Sequence, residues 1–175
     1  MNKGCVHIYY GNGKGKTTCG VGLCVRAAGA GWKVLVYQFL KDSTSSERKI
    51  LKQLPQVTLL EGMEKVKFTF NMTPEELDQA RIYYTQAFKK IVKMTCEGGY
   101  QMVFLDELLH MIRLELIEEK LVTDFLERRP DGVEVIMTGY DPSPRLLEMA
   151  DYVSKITKEK HPFDSKLPAR RGIEF

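Results

Sequence analysis

The feature that most constrains the fold of this chain is a glycine-rich stretch between a strand-like run and a helix-like run. Val6–Tyr10 is strand-like and leads into GNGKGKTT, which continues as a helix-like run rich in small residues, Lys16–Ala28. Glycines let the backbone curl until its N–H groups point inward, and a following helix directs the positive end of its dipole to the same spot. The agreement of strand, loop and helix predicts a phosphate-binding loop rather than a flexible surface loop.

The loop follows the Walker A pattern G-x-x-x-x-G-K-[ST] except at its first position. Gly15, Lys16 and Thr17 match the pattern, and Tyr10 stands where it requires glycine. The later glycines still allow an amide cradle, Lys16 adds a cation, and Thr17 offers a hydroxyl that can ligate Mg²⁺. We therefore predict that Tyr10 changes the entry into the turn and leaves the cradle intact.

Strand-like and helix-like segments alternate along the whole sequence. The predicted strands and extended segments are Val6–Tyr10, Val34–Phe39, Val57–Leu60, Val66–Phe70, Met102–Leu105, Val133–Met137 and Tyr152–Thr157. The predicted helices are Lys16–Ala28, a short one ending near Leu54, one from an N-cap at Thr73 to Cys96, one or two before Arg129, and Pro144–Ala150. Helices that alternate with nearly apolar strands predict a parallel sheet that is covered on both faces. We expect an α/β fold, P-loop NTPase-like (RecA-like) with a mostly parallel sheet, in one domain over residues 1–175 with a polar tail from about residue 158.

Composition narrows the class of protein. The 175 residues are 43% hydrophobic and 28% charged, as in an ordinary globular domain. A net charge of +3 gives no argument for binding nucleic acid. The sequence lacks a run long enough to span a bilayer and its first residues lack a signal-peptide core, so we predict a cytoplasmic protein that contacts no membrane. The four cysteines show no metal-binding spacing.

A second element of a phosphate site follows the apolar run MVFL. Asp106 and Glu107 come directly after it, at the end of a parallel strand where ligands bind in open α/β sheets. A carboxylate there can hold Mg²⁺ directly or through water. The alternative is a pair of acidic residues that merely begin a helix. Beside the loop, the pair favours binding of a magnesium nucleotide.

Several segments together resemble the P-loop type of ATP:corrinoid adenosyltransferases. GNGKGKTT resembles the family's loop, which also lacks the first Walker glycine, and VRAAGAGWKVLVYQFLK resembles its first helix and second strand. FLDEL resembles its acidic strand end, and RRPDGVEVIMTGYDPSPRLLEMADYVSKI and KHPFDSKLPARRGIEF resemble its last third. The resemblance covers nearly the whole chain.

The resemblance implies a reaction at carbon rather than at phosphorus. Co(I) of a reduced corrinoid attacks C5′ of ATP, and the whole triphosphate leaves, so no Ser/His/Asp or Cys/His constellation is required. Lys16 and Glu107 would be the catalytic residues, and Thr17, Glu107 and Asp106 would hold Mg²⁺. The residues implied in ATP binding are Gly11, Asn12, Gly13, Lys14, Gly15, Lys16, Thr17, Thr18 and Arg26. From the residues alone, Arg26 would be interpreted as a solvent-exposed charge on a helix.

The resemblance also implies a corrinoid site and partners. KFTF resembles the family's GFTW, so Phe68 and Phe70 would form an aromatic wedge that removes the lower axial ligand and eases reduction of cobalt. The alternative is that both side chains line the core face of a strand. The implied partners are ATP, the corrinoid, an electron-donating flavoprotein reductase and a second copy in a homodimer, within adenosylcobalamin biosynthesis or salvage.

Two departures from the family pattern keep other functions open. Tyr140 stands where the family has an arginine that contacts the triphosphate, and Arg145 or a basic residue of the tail could substitute for it. Lys166 stands where the family's tail has a glycine. One alternative is a P-loop kinase or NTPase, which would release ADP. The other is a nucleotide- or adenosylcobalamin-binding regulator with little turnover.

Overall fold

The computed structural model describes residues 4–41, 45–63 and 72–174, in which six strands alternate with helices. The strands are β1 (Val6–Tyr10), β2 (Val34–Gln38), β3 (Val57–Leu59), β4 (Met102–Asp106), β5 (Glu134–Gly139) and β6 (Tyr152–Lys155). The helices are α1 (Lys16–Gly29), α2 (Ser46–Leu51), α3 (Pro74–Glu97), α4 (Leu108–Arg113), α5 (Glu119–Arg128) and α6 (Pro144–Met149), and a short 3-10 helix spans Pro162–Ser165. The predicted extended segment Val66–Phe70 lies outside the described residues.

The six strands form one sheet in the order β3-β2-β4-β5-β1-β6, and every neighbouring pair is parallel. Successive parallel strands need a crossover between them, and the helices provide it. All six carboxyl ends therefore lie at the same edge of the sheet, where the loop after β1 also lies. The prediction of an α/β fold with a parallel sheet is confirmed.

Alternate side chains of the strands bury themselves in two separate cores. In β4, Val103 and Leu105 join the larger core, which also contains Phe88 of α3 and Phe125 of α5. Met102 and Phe104 of the same strand point to the opposite face and join the smaller core beneath α1 and α2. Since both faces of β4 are covered, its near-continuous apolar sequence is explained.

The longest described helix, α3, has the predicted ends. Thr73 accepts a hydrogen bond from the Glu76 N–H, and the Glu76 side chain accepts one from the Thr73 N–H, which completes a capping box. The helix ends at Glu97, before the glycine pair that was predicted to end it. Helix α2 spans Ser46–Leu51, so it includes the polar residues 46–48 and ends three residues before the predicted end near Leu54. Within the described ranges, none of the helices combines the length and apolar character needed to cross a membrane.

Helix α1 lies close against the sheet because residue 20 is glycine. A Cβ atom at Gly20 would lie 2.3 Å from the ring of Phe104 in β4. A Cβ atom at Gly22, two residues further along α1, would meet nothing within 4 Å. The two glycines therefore offer a matched pair for measuring how tightly α1 is packed.

We expect Gly20→Ala to lower the free energy of unfolding by about 1–3 kcal/mol, because the added methyl group overpacks the smaller core. Gly22→Ala should raise it by about 0.5–1 kcal/mol, because alanine is the better helix former and no neighbour is displaced. Urea unfolding of both variants measures the difference. Equal effects of the two substitutions would contradict the close packing at position 20.

Candidate functional site

The glycine-rich loop joins β1 to α1 at the carboxyl edge of the sheet. Tyr10, at the position of the missing Walker glycine, is the last residue of β1 and packs, partly buried, against the larger core. The turn is made instead by Gly11, whose φ of 120° is in the region that favours glycine. Gly15, just before α1, has a similar φ of 118°. The turn thus begins one residue after Tyr10, which agrees with the prediction that Tyr10 affects only the entry.

The first half of the loop rests on the chain that follows β6. The Gly13 N–H donates a hydrogen bond to the Ile156 carbonyl at 2.9 Å, and the Lys158 N–H donates to Asn12 Oδ1 at 3.0 Å. A Cβ atom at Gly11 would lie 2.4 Å from the same Ile156 oxygen. Gly11 and Asn12 were both predicted to bind ATP. In the structure, their contacts with the chain after β6 shape the loop.

A cavity of about 540 Å³ opens over the second half of the loop. A volume of this size is typical of sites for small ligands. Seven of the predicted site residues line it, namely Gly13, Lys14, Gly15, Lys16, Thr17, Thr18 and Glu107. The Lys16 ammonium group donates to the Gly13 carbonyl at 2.9 Å, so it is held over the loop's own backbone. Lys41 and Glu47 line one side of the cavity, and residues 172–174 of the tail line another.

Asp106 lies behind the cavity in a row of polar side chains that crosses three strands. Its carboxylate is completely buried. Oδ1 accepts hydrogen bonds from Thr138 of β5 at 2.6 Å and from Thr17 at 2.9 Å, and Oδ2 accepts one from Gln38 of β2 at 3.2 Å. Asp106 therefore fixes the Thr17 hydroxyl at the start of α1, and the structure brings these two predicted residues into direct contact.

A lysine and a glutamate that were not predicted adjoin this row. The Lys41 ammonium group lies 2.7 Å from Glu47 Oε1 and 3.3 Å from Asp106 Oδ2. Burial works against the charge on Lys41, but the Asp106 and Glu47 carboxylates together outweigh it and raise the pKa of Lys41. Burial likewise works against ionisation of Glu47, but hydrogen bonds from Lys41 and Gln38 lower the pKa of Glu47. At neutral pH, therefore, both side chains carry their charges.

Glu107 reaches the cavity through an unusual backbone conformation. Its φ of 61° is left-handed, and its N–H donates to Thr138 Oγ1 at 2.8 Å. Glu107 Oε2 lies 3.7 Å from Nδ1 of His110. Burial, and then the charge on Asp106, raise the pKa of Glu107, while burial and nearby cations lower the pKa of His110. A non-glycine residue held in this conformation beside a cavity favours a functional role for its carboxylate.

The residues at the cavity fit a magnesium ion that arrives with a nucleotide. Thr17, Glu107 and Glu47 offer the hard oxygen donors that Mg²⁺ prefers. No group of three or more His, Cys, Asp or Glu side chains forms a metal site of its own within the part of the chain that the structure describes. Mg²⁺ at phosphate-binding sites takes one or two protein ligands and completes its shell with phosphate and water, so this donor set is sufficient.

Two other residues singled out from the sequence lie away from the cavity, and two more fall outside the described residues. Arg26 is exposed on α1 and does not line the cavity. Arg145 pairs with Glu127 at 3.4 Å, also away from the cavity lining. Phe68 and Phe70 lie outside the described residues, so their contacts with a corrinoid stay a prediction.

Tyr140, which replaces the family's arginine, is 43% exposed. The Arg113 guanidinium lies over its ring, 5.5 Å from the ring centre. Arg113 also pairs with Asp141, the residue that follows Tyr140. The tyrosine is therefore part of a surface cluster after β5.

Sequence reasoning also missed how the tail reaches the cavity. The Lys14 ammonium group donates to the Ile173 carbonyl at 2.7 Å and lies 3.7 Å from Glu174. The only signal in the sequence was the likeness of the segment GIEF to the family tail. The tail thus closes one side of the cavity, although most of its residues are exposed.

The chain is similar to known proteins over most of its length. The family model described as ATP:corrinoid adenosyltransferase BtuR/CobO/CobP matches residues 2–175. The corrinoid adenosyltransferase of Escherichia coli K12 is 34% identical over 99% of this chain and 86% of its own length. Corrinoid adenosyltransferase CobA of Salmonella typhimurium LT2 is 33% identical over 99% of this chain and 86% of its own length. A KaiC-like protein from Pyrococcus horikoshii, 19% identical, matches the fold with a TM-score of 0.51 over 92% of this chain and 76% of its own.

Proposed function

The chain belongs to the ATP:corrinoid adenosyltransferase family, and from this premise we propose that it transfers the 5′-deoxyadenosyl group of MgATP to Co(I) of a reduced corrinoid. That the protein is an enzyme that adenosylates corrinoids follows from its membership. The choice of Co(I), of MgATP and of triphosphate as the leaving group is the proposal. The observation that carries it is the cavity over the loop, which collects the predicted phosphate-binding side chains.

In the proposed reaction, cobalt supplies the electron pair for the new bond to C5′. The bond between C5′ and the triphosphate oxygen breaks, and its electron pair leaves with the triphosphate. Lys16 and the N–H groups of the loop then stabilise the negative charge that grows on the leaving group. The side chains of Thr17 and Glu107 would hold Mg²⁺, with Asp106 orienting Thr17 from behind. When bound, the ion would neutralise further phosphate charge.

The remaining partners are proposals that rest on the resemblance. A flavoprotein reductase would supply Co(I), and Phe68 and Phe70 would displace the lower axial ligand to ease that reduction. A homodimer and a cytoplasmic location are proposed on the same ground. Each can be tested separately from the transfer reaction, since chemically reduced corrinoid bypasses the reductase.

The test is a product assay with ATP, Mg²⁺ and chemically reduced cob(I)alamin under anaerobic conditions. We expect a light-sensitive adenosylcorrinoid spectrum and an equal amount of inorganic triphosphate. ADP without adenosylcorrinoid would identify a kinase or NTPase and contradict the proposal. Bound nucleotide without either product would identify a regulator and also contradict it.

Glu107→Gln should separate activity from stability. We expect turnover to fall about tenfold or more, because an amide oxygen is a weaker ligand for the proposed Mg²⁺ than a carboxylate. At neutral pH the variant should be harder to unfold than wild type, because the raised pKa means that ionised Glu107 costs the fold free energy. That cost is absent below the ordinary glutamate value of 4.5 and grows as the pH rises through the raised pKa, so the stability gain should vanish in acid.

Glu115→Gln is the matched control for this prediction. Glu115 also has a left-handed backbone, with φ of 55°, but it is exposed and does not line the cavity. Its substitution should change neither turnover nor the free energy of unfolding at neutral pH. If Glu107→Gln and wild type had the same free energy of unfolding at every pH, burial of the Glu107 carboxylate would not destabilise the fold.

A further inference from the structure

The Lys41 ammonium group lies between two carboxylates, Glu47 at the cavity and Asp106 buried behind it. It contacts Glu47 Oε1 at 2.7 Å and Asp106 Oδ2 at 3.3 Å, and its side chain is 23% exposed. Lys41 also lines the cavity itself. The ammonium group can therefore reach either the carboxylates or a bound phosphate chain by rotation of its own side chain.

Lys41 is the charged partner of a fully buried carboxylate. Asp106 accepts hydrogen bonds from Thr17, Thr138 and Gln38, all of which are uncharged donors. A buried carboxylate needs a counter-charge as well as hydrogen bonds, and Lys41 supplies one. Lys41 is therefore the internal cation of this row of polar side chains.

A metal ion on Thr17 would lie close to the Lys41 ammonium group. The Thr17 hydroxyl lies 3.2 Å from Asp106 Oδ2, and the Lys41 ammonium lies 3.3 Å from that same atom. A divalent cation bound to the hydroxyl would thus stand a few ångströms from a second positive charge. Like charges at this distance disfavour simultaneous binding.

We propose that Lys41 is an internal cation that exchanges places with Mg²⁺ when the nucleotide binds. Without nucleotide, it neutralises Asp106 and Glu47 and keeps free metal ions out. When magnesium enters with the phosphate chain, Lys41 turns to the phosphates and becomes a further cation on the leaving group. This inference rests on the proposed use of MgATP.

A purely structural role for Lys41 predicts different behaviour. In that case the ion pair with Glu47 would only hold α2 against the sheet, and its loss would lower stability without changing metal affinity. The exchange predicts effects of opposite sign, with tighter binding of free metal and weaker binding of phosphate. Metal affinity in the absence of nucleotide therefore distinguishes the two roles.

The experiment measures Lys41→Met in the full chain without nucleotide. Free Mn²⁺ is followed by electron paramagnetic resonance, and binding of magnesium tripolyphosphate by calorimetry. We expect Mn²⁺ to bind about tenfold tighter than in wild type, because a neighbouring positive charge that opposes its binding has been removed. Tripolyphosphate should bind about tenfold more weakly, because a cation that could contact it is lost. A Mn²⁺ affinity equal to that of wild type, or undetectable in both, overturns the proposal.

Lys14→Met is the matched control, because Lys14 lines the same cavity but contacts the tail rather than Asp106. It should weaken tripolyphosphate and leave Mn²⁺ affinity unchanged, and a gain in Mn²⁺ affinity there too would also overturn the proposal. If circular dichroism shows that Lys41→Met does not fold, Lys41→Gln keeps a hydrogen-bond donor without the charge and takes its place. Neither measurement involves turnover, so a failed product assay with wild type would refute the proposed function and not this exchange.

Discussion

Lys16→Ala is expected to bind ATP about 100-fold or more weakly than wild type, because its ammonium group can contact two phosphates and each charged hydrogen bond is worth about 1.5–3 kcal/mol. In the structure the ammonium group is already held over the loop by the Gly13 carbonyl. Little side-chain entropy therefore remains to be lost when a phosphate binds. Calorimetric titration with MgATP measures the loss.

Lys33→Ala is the matched control for this prediction. Its ammonium group also donates to a single backbone carbonyl, that of Gly98, at 2.7 Å. It lies just before β2, at the opposite edge of the sheet from the cavity. ATP affinity should be unchanged in Lys33→Ala, and tight ATP binding by Lys16→Ala would show that the loop is not the nucleotide site.

Asp106→Asn should lower both turnover and stability. An amide in place of the buried carboxylate presents its own N–H groups to side chains that all donate, so at least one donor is left unpaired at a cost of about 1–3 kcal/mol. The amide oxygen that remains is a weaker acceptor for the Thr17 hydroxyl than a carboxylate, so turnover should fall about 10–100-fold. Urea unfolding and the rate of adenosylcorrinoid formation measure the two effects.

Asp124→Asn gives the corresponding surface substitution. Asp124 pairs with Lys120 at 2.6 Å on an exposed face of α5, and such pairs contribute about 0–1 kcal/mol. It should change stability slightly and turnover not at all. If Asp106→Asn behaves like Asp124→Asn, the buried row across β2, β4 and β5 is not what positions Thr17.

The fold was largely predictable because its signals are local. Strand β4 reads as MVFLD and is buried on both faces, and Thr73 with Glu76 marks the start of α3 three residues apart. Helix α2 was placed too late because its first turn is polar, and its helical pattern becomes visible only when Leu51 is seen buried beneath it. Local composition could not show that tertiary contact.

The site was predictable where a local pattern marks its residues, as in the loop and in the acidic pair that follows β4. Gly13 to Thr18 form one unbroken segment, so a pattern could identify them. Gln38 and Thr138 reach Asp106 from two neighbouring strands, and Lys41 adjoins them only because β2 pairs with β4. The order of the strands depends on the whole sheet, so the spacing of residues along the sequence does not predict it.

The contacts between the loop and the chain after β6 also bear on when the site can form during synthesis. Asn12 is held by Lys158, which leaves the ribosome 146 residues later, and Lys14 is held by Ile173, 159 residues later. A nascent chain that stops at β5 contains every residue of the Walker pattern but not the backbone that shapes its first half. The loop can therefore take its described shape only after the chain that follows the last strand is in place.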